Sequence, residues 1–182
     1  MFVHVIKSLL SEAEAASIVS LAHDAGLSQA SLVGGATHHD IRRAQIAWLD
    51  DEGSADWVMQ RVMAAVAEAN RETFHFQLEG FEERLQVAAY DANEEGHFDW
   101  HSDMGGGPLA ARRKLTIVAQ LTRPEQYEGG ELQLNPAGRP FAASAGIGDA
   151  ILFASFVLHR VTPVTAGLRH SLTCWVHGPE FT

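Results

Sequence analysis

From Phe74 onward the chain loses every long periodic stretch and breaks into short runs that alternate apolar and polar residues or are apolar throughout, divided by Gly, Pro, Asn and Asp. Runs of this kind are strands, and many short strands with turns between them point to a sandwich, barrel or jelly roll. The expected strands are 74–78, 84–90, 97–103, 113–121, 130–134, 139–143, 149–154, 159–164 and 169–177. Ahead of them, residues 2–6 read as one more short strand, and Ser11-Glu12-Ala13-Glu14 is a capping box that opens an amphipathic helix ending near Gly26. Residues 28–40, with Gly34-Gly35 and His38-His39, show no period and read as a mobile loop; 43–49 then reads as a strand. A second helix is expected over 54–70, where Trp57, Val58, Arg61, Val62, Ala65, Val66 and Ala69 follow a 3.6-residue stripe. The expected fold is therefore mainly β, a double-sheet roll with two N-terminal helices packed on one sheet.

At 182 residues with a single cysteine, Cys174, the chain can bury a core without disulfides or structural zinc and is most simply one domain, 1–182. Cys174 sits in an apolar run, where burial as a small hydrophobe is expected. Thirteen Lys and Arg against 23 Asp and Glu give a net charge of −10, which argues against partners that present a phosphate backbone or an anionic membrane. It also suggests a substrate that is neutral or positively charged. The opening 1–7 is too short for a signal peptide, and no apolar run approaches the ~20 residues of a membrane span, so a soluble, cytoplasmic protein is expected.

The chemistry concentrates in Gly96-His97-Phe98-Asp99-Trp100-His101-Ser102-Asp103. On a strand, alternate side chains share a face, so one strand here offers a histidine and a carboxylate together. Both His97-x-Asp99 and His101-x-Asp103 have that spacing, and spacing alone does not choose between them. A third ligand can come from His159, completing two histidines and one carboxylate on one side of a metal, the facial arrangement of non-haem Fe(II) oxygenases. Arg169, ten positions after His159 in an apolar run, needs a counter-charge if buried, and a bound dicarboxylate could supply it. Ser171, two residues on, and Tyr90 are further candidate donors to that carboxylate. The adjacent His38-His39 pair is read as solvated, not ligating.

Four ordered blocks carry a family resemblance: Gly96-x-Phe98-x-x-His101-x-Asp103, Tyr127-Glu128-Gly129-Gly130-Glu131-Leu132, Gly148-Asp149-Ala150-Ile151-Leu152-Phe153, and His159-Arg160-Val161-Thr162-Pro163-Val164 with Gly167-x-Arg169-x-Ser171. Together they resemble the Fe(II)/2-oxoglutarate dioxygenases, in particular the prolyl 4-hydroxylase-like branch and its bacterial PKHD-type hydroxylases, over roughly 90–178. The resemblance implies a double-stranded β-helix of jelly-roll, cupin-like form over 81–178, with 1–80 serving as helical support and substrate entrance. It selects His101, Asp103 and His159 as iron ligands, because the family places an aromatic three residues and a glycine five residues before the first ligand; Asp99 then falls near the cleft mouth. It implies Arg169 as the anchor of the distal carboxylate of 2-oxoglutarate, O2 as co-substrate and ascorbate as reductant. Gly129-Gly130 would permit a tight approach to a core strand, and Asp149 would cap the turn before its own. The implied reaction is hydroxylation of an unactivated C–H bond of an amino-acid-like substrate, peptidyl or free, with release of succinate and CO2. The competing reading is a non-catalytic cupin-like metal-binding or sensing domain; a nucleobase demethylase fits poorly with the acidic charge. The oligomeric state is not legible in the sequence.

Overall fold

The computed structural model describes residues 2–30, 41–50 and 52–181. Among these described residues are thirteen strands: β1 Val3–Ile6, β2 Ser28–Gln29, β3 Arg42–Arg43, β4 Gln45–Leu49, β5 Leu85–Asp91, β6 His97–His101, β7 Arg113–Gln120, β8 Tyr127–Gly129, β9 Leu132–Asn135, β10 Phe141–Ala142, β11 Ala150–Ala154, β12 Leu158–Val161 and β13 Val164–His177. They form two antiparallel sheets. The larger runs β1-β11-β7-β13-β5-β4-β2, with β8 paired to the start of β13, and the smaller runs β10-β9-β12-β6-β3. This is the expected jelly roll, with helix α1 (Glu12–Ala25) and helix α2 (Asp56–Ala69) supplying the outer cover.

Alternation along the strands of the larger sheet makes two cores. Leu85, Val87, Leu115, Ile117, Leu172, Cys174 and Val176 face outward and meet Ile18, Ala22, Val58, Val62 and Val66 of the helices. Ala88, Tyr90, Val118, Ile151 and Phe153 face inward and meet Leu132, Leu134 and Val161 of the smaller sheet. Each Leu, Ile or Val fully buried in this way contributes about 1.5–3 kcal/mol. Helix α1 opens on the expected box: the Glu14 N–H donates to Ser11 Oγ at 3.2 Å, and the Ser11 N–H donates to Glu14 Oε2 at 2.8 Å. Arg61, placed by its spacing on the apolar stripe of α2, instead extends from the helix to pair with Glu14 at 2.8 Å.

Several boundaries differ from the sequence expectation, each for a local reason. The expected strand 43–49 is interrupted at Ala44, because β3 pairs with β6 in the smaller sheet while β4 pairs with β5 in the larger, so the chain changes layers there. No strand forms over 74–78. Helix α2 instead runs on as a wide turn over Asn70–Phe74, ended by His75 in the left-handed region at φ 57°, and the Asn70 side chain bonds both N–H and C=O of Phe76. The expected strand 97–103 ends at His101, and 159–164 divides at Thr162-Pro163 into the end of β12 and the start of β13. Ser28–Gln29 is paired to β4, and the remainder of the expected 28–40 loop, with His38-His39, lies outside the described residues apart from Ala30. Asp149 reaches back over the turn before its own strand, its N–H donating to Gly146 C=O at 3.0 Å. Its carboxylate accepts from Lys7 Nζ, the Ser8 N–H and Ser144 Oγ, fastening the end of β1.

The capping box is remote from the inner face of the sheets. Ser11→Ala is therefore expected to lower stability by about 1 kcal/mol in urea unfolding, with metal affinity unchanged.

Candidate metal and carboxylate site

Between the sheets lies a cavity of about 660 Å³ lined by all six candidate site residues: Tyr90, His101, Asp103, His159, Arg169 and Ser171. His101 closes β6 and is paired in register with His159 on β12, so sheet pairing itself brings together two residues 58 positions apart in sequence. Asp103 arrives differently from the strand alternation argued above. The chain turns after His101, the Asp103 N–H donates to Ser155 C=O at 3.0 Å, and the carboxylate folds back toward the histidines. His101 Nε2 lies 3.6 Å from Asp103 Oδ1, and His159 Nε2 lies 3.5 Å from Asp103 Oδ2. One donor atom from each residue falls within 4.8 Å of the others, a separation that one ion can bridge.

The surroundings fix what those atoms present. His101 Nδ1 donates to Asp99 C=O at 2.7 Å and His159 Nδ1 to Val157 C=O at 3.0 Å. Each ring thereby turns its Nε2 to the centre, the outer bond fixing the orientation of the ring. Burial, reinforced by the neighbouring His159, pushes His101 down to about 4 against the opposing pull of Asp103, so the imidazole is neutral and ready to ligate. Burial alone would raise the Asp103 carboxyl; the two histidines and the Thr116 hydroxyl, which donates to Oδ2 at 2.8 Å, outweigh it and hold it below its ordinary value. Phe98 stacks on the His101 ring at 3.4 Å between centroids. Gly96 admits the backbone at Tyr90-Asp91, where an added Cβ would stand 2.7–2.8 Å from main-chain atoms. His97 and Asp99 lie outside the cluster: His97 Nδ1 bonds Glu95 C=O, and Asp99 is exposed.

On the facing sheet Arg169 is 1% exposed, and Nη2 donates to Gln120 Oε1 at 2.9 Å. Its Nε and Nη1 are buried with no acceptor, and among the described residues no carboxylate pairs with it. Tyr90, opposite Arg169 in the β5–β13 register, places its ring 5.5 Å from the guanidinium carbon. Gly130, at φ 59°, leaves room for this side chain: an added Cβ would stand 3.1 Å from Arg169 Cδ. Ser171 is 2% exposed and lies on the same inward face. Sequence reasoning missed Gln120, Thr116 and the buried pair Arg113–Glu83, whose guanidinium also donates to Asp103 C=O at 3.1 Å. The signal available for Gln120 and Thr116 was their polarity at inward positions beside Leu115, Ile117, Val118 and Ala119 in β7.

Residues 85–177 match the 2OG-Fe(II) oxygenase superfamily. The chain belongs to that family. It is 42% identical over 71 residues to a PKHD-type hydroxylase of Colwellia psychrerythraea, covering 38% of this chain and 32% of that protein. A PKHD-type hydroxylase of a Janthinobacterium species is 36% identical over 92 residues, covering 48% of this chain and 40% of the relative. These matches span about a third of the length of the curated relatives. Among solved structures, a Pseudomonas putida prolyl-4-hydroxylase superposes with a TM-score of 0.75 at 22% identity, over 97% of this chain and 92% of that one. A Trichoplax adhaerens prolyl hydroxylase in complex with a hypoxia inducible factor oxygen degradation domain peptide fragment gives 0.80 at 19%, over 96% and 83%. The structural likenesses bear on the fold, which is that of the 2OG-Fe(II) oxygenases. The family implies Fe(II), 2-oxoglutarate and O2, and two unpartnered guanidinium donors facing a three-ligand cluster fit a chelated dicarboxylate.

His101 and His170 both resist protonation in the fold. Burial, then His23 and Arg169, pushes His170 down to about 4 as well. Since the unfolded chain protonates such groups near pH 6.5, it binds more protons between about pH 6.5 and 4, so the metal-free protein is expected to lose stability as pH falls through that window, at up to roughly 1.4 kcal/mol per pH unit for each group. Urea midpoints across that range read the slope, and His170→Leu should make it shallower.

Proposed function

We propose that the chain is a 2-oxoglutarate-dependent hydroxylase acting on an unactivated C–H bond of an amino-acid-like substrate, peptidyl or free. The observation that carries this reading is Arg169: a metal-sensing or structural cupin-like domain has no use for an unpaired cation buried in the metal cavity. A dicarboxylate that chelates the metal at one end and meets Arg169 at the other removes the cost of that charge.

In this reading His101, Asp103 and His159 hold Fe(II), Arg169 takes the distal carboxylate of 2-oxoglutarate, and Ser171 and Tyr90 line the same carboxylate pocket. When bound, iron and 2-oxoglutarate supply the oxidising power: one oxygen atom of O2 enters succinate, the other becomes the substrate hydroxyl, and CO2 leaves. The protein's share is positional. Outer bonds to Asp99 and Val157 hold both imidazoles in the ligating orientation, Thr116 orients Asp103, and Gln120 aims Arg169. Apolar walls at Val118, Leu132 and Val161 keep water from the reacting centre.

We take 1–182 as one catalytic unit in which 1–80 supplies support and the substrate entrance, with ascorbate keeping the metal reduced and the cytoplasm as its location. Among the described residues no helix is long and apolar enough to cross a membrane, and the acidic charge disfavours nucleic acid as a partner.

Anaerobic iron titration tests the ligand set. His101→Ala, Asp103→Ala and His159→Ala should each lose iron and activity, while His97→Ala keeps the metal; the opposite result for His97 and His101 would move the site by four residues. Arg169→Ala should raise the 2-oxoglutarate requirement by the equivalent of about 2–5 kcal/mol with iron affinity intact, and Arg169→Lys should recover part. An unchanged requirement in Arg169→Ala removes the case for an oxygenase.

A further inference from the structure

A second arginine faces the same cavity without a carboxylate. Arg42, on β3, is half-buried beside the metal cluster: its guanidinium carbon sits 4.6 Å over the ring of Phe98, and that ring stacks on His101. Its Nη2 donates to the neutral Gln86 Oε1 at 3.0 Å, and its Nε is buried with no acceptor at all. The acidic surface makes this unusual. Arg84, Arg112 and Arg123 each hold a carboxylate, and inside the cavity Arg113 holds Glu83. Glu83 is saturated by that guanidinium and by His177, which leaves it no free charge for a cationic substrate.

The inference rests on the oxygenase reading for the occupants of the metal site and of Arg169. An Fe(II) ion, the Asp103 carboxylate, dianionic 2-oxoglutarate and the Arg169 guanidinium are together neutral, and Arg113 with Glu83 is neutral also. Arg42 is then the one uncompensated charge that lines the cavity among the described residues. It stands one aromatic ring away from a metal ligand, on the side where Trp48, Trp100 and Trp175 supply an apolar wall. We infer that the substrate carries a carboxylate, gripped by Arg42 and Gln86, next to an apolar body whose C–H bond is presented to the metal. A guanidinium met only by a neutral amide retains its full charge and is suited to take such a group by charge-assisted hydrogen bonds. This reverses the expectation drawn from net charge, because −10 describes the whole surface, whereas the wall of this cavity carries an unspent positive charge.

The test uses the full chain loaded with Zn(II) in place of iron and saturated with 2-oxoglutarate, so that no turnover occurs. Tryptophan fluorescence follows titration with the common amino acids and, in parallel, their carboxamides. At least one free acid should bind tenfold or more tightly than its amide, the preference should vanish in Arg42→Gln, and Arg42→Lys should keep part of it. If no acid binds better than its amide, or if the preference survives Arg42→Gln, the proposal is overturned. A peptide ending in the preferred residue distinguishes a chain terminus from a free acid as the source of the carboxylate. The oxygenase reading fails separately, if 2-oxoglutarate does not bind the zinc-loaded wild-type protein or binds Arg169→Gln equally well; the acid and amide titrations, repeated without 2-oxoglutarate, read Arg42 in either event.

Discussion

A guanidinium buried in the interior of a β-sandwich is among the costliest groups a fold can carry, and Arg169 is buried with only a neutral amide to meet it. Much of the neighbouring structure is arranged around that fact. Strand β13 is hydrogen-bonded on both sides, to β5 and β7, which holds the arginine in the middle of the larger sheet where it cannot swing out to solvent. Gln120 arrives from β7 and Tyr90 from β5, one on each flank, and two consecutive glycines at positive φ bring the end of β8 against its aliphatic stem. The sheets close over it at Val118 and Leu132. An uncompensated buried charge of this sort is the feature on which the proposed binding of a dicarboxylate rests.

The elements that the sequence made legible are those governed by local rules. Ser11 and Glu14 cap a helix by chemistry confined to one turn, and the 3.6-residue stripe of α2 needs only its own face. The long strands of the larger sheet, β5, β7 and β13, were legible because each has a dry outer face and a mixed inner one. What could not be read depended on which groups meet once the chain is folded. Ala44 carries no mark that the chain crosses between layers there, since only the pairing of β3 with β6 requires it. The strand expected over 74–78 had adequate composition and lost to an asparagine, Asn70, whose side chain satisfies the backbone of Phe76 in a loop.

In the site the same division holds. The ligand residues and the arginine were visible as types at spacings, and resemblance chose between two equally spaced His-x-Asp pairs. The geometry behind that choice was not visible: Asp103 reaches the cluster through a turn pinned to Ser155, not by strand alternation. The polar support from Thr116 and Gln120, and the uncommitted Arg42, depend on which faces meet across the cavity, and no single stretch of sequence records that.

The two ends of the site belong to different layers. His101 and His159 sit in the five-stranded sheet, while Arg169 stands on the eight-stranded one. A molecule that touches both therefore works as a strut between walls. Its grip depends on their spacing, which is set by side chains such as Leu134 and Ile151 that lie in the packing between the sheets. The cavity is in this sense a caliper: trimming a methyl group from its jaws changes the gap, and so the fit of whatever spans it, without removing any contact to the molecule held.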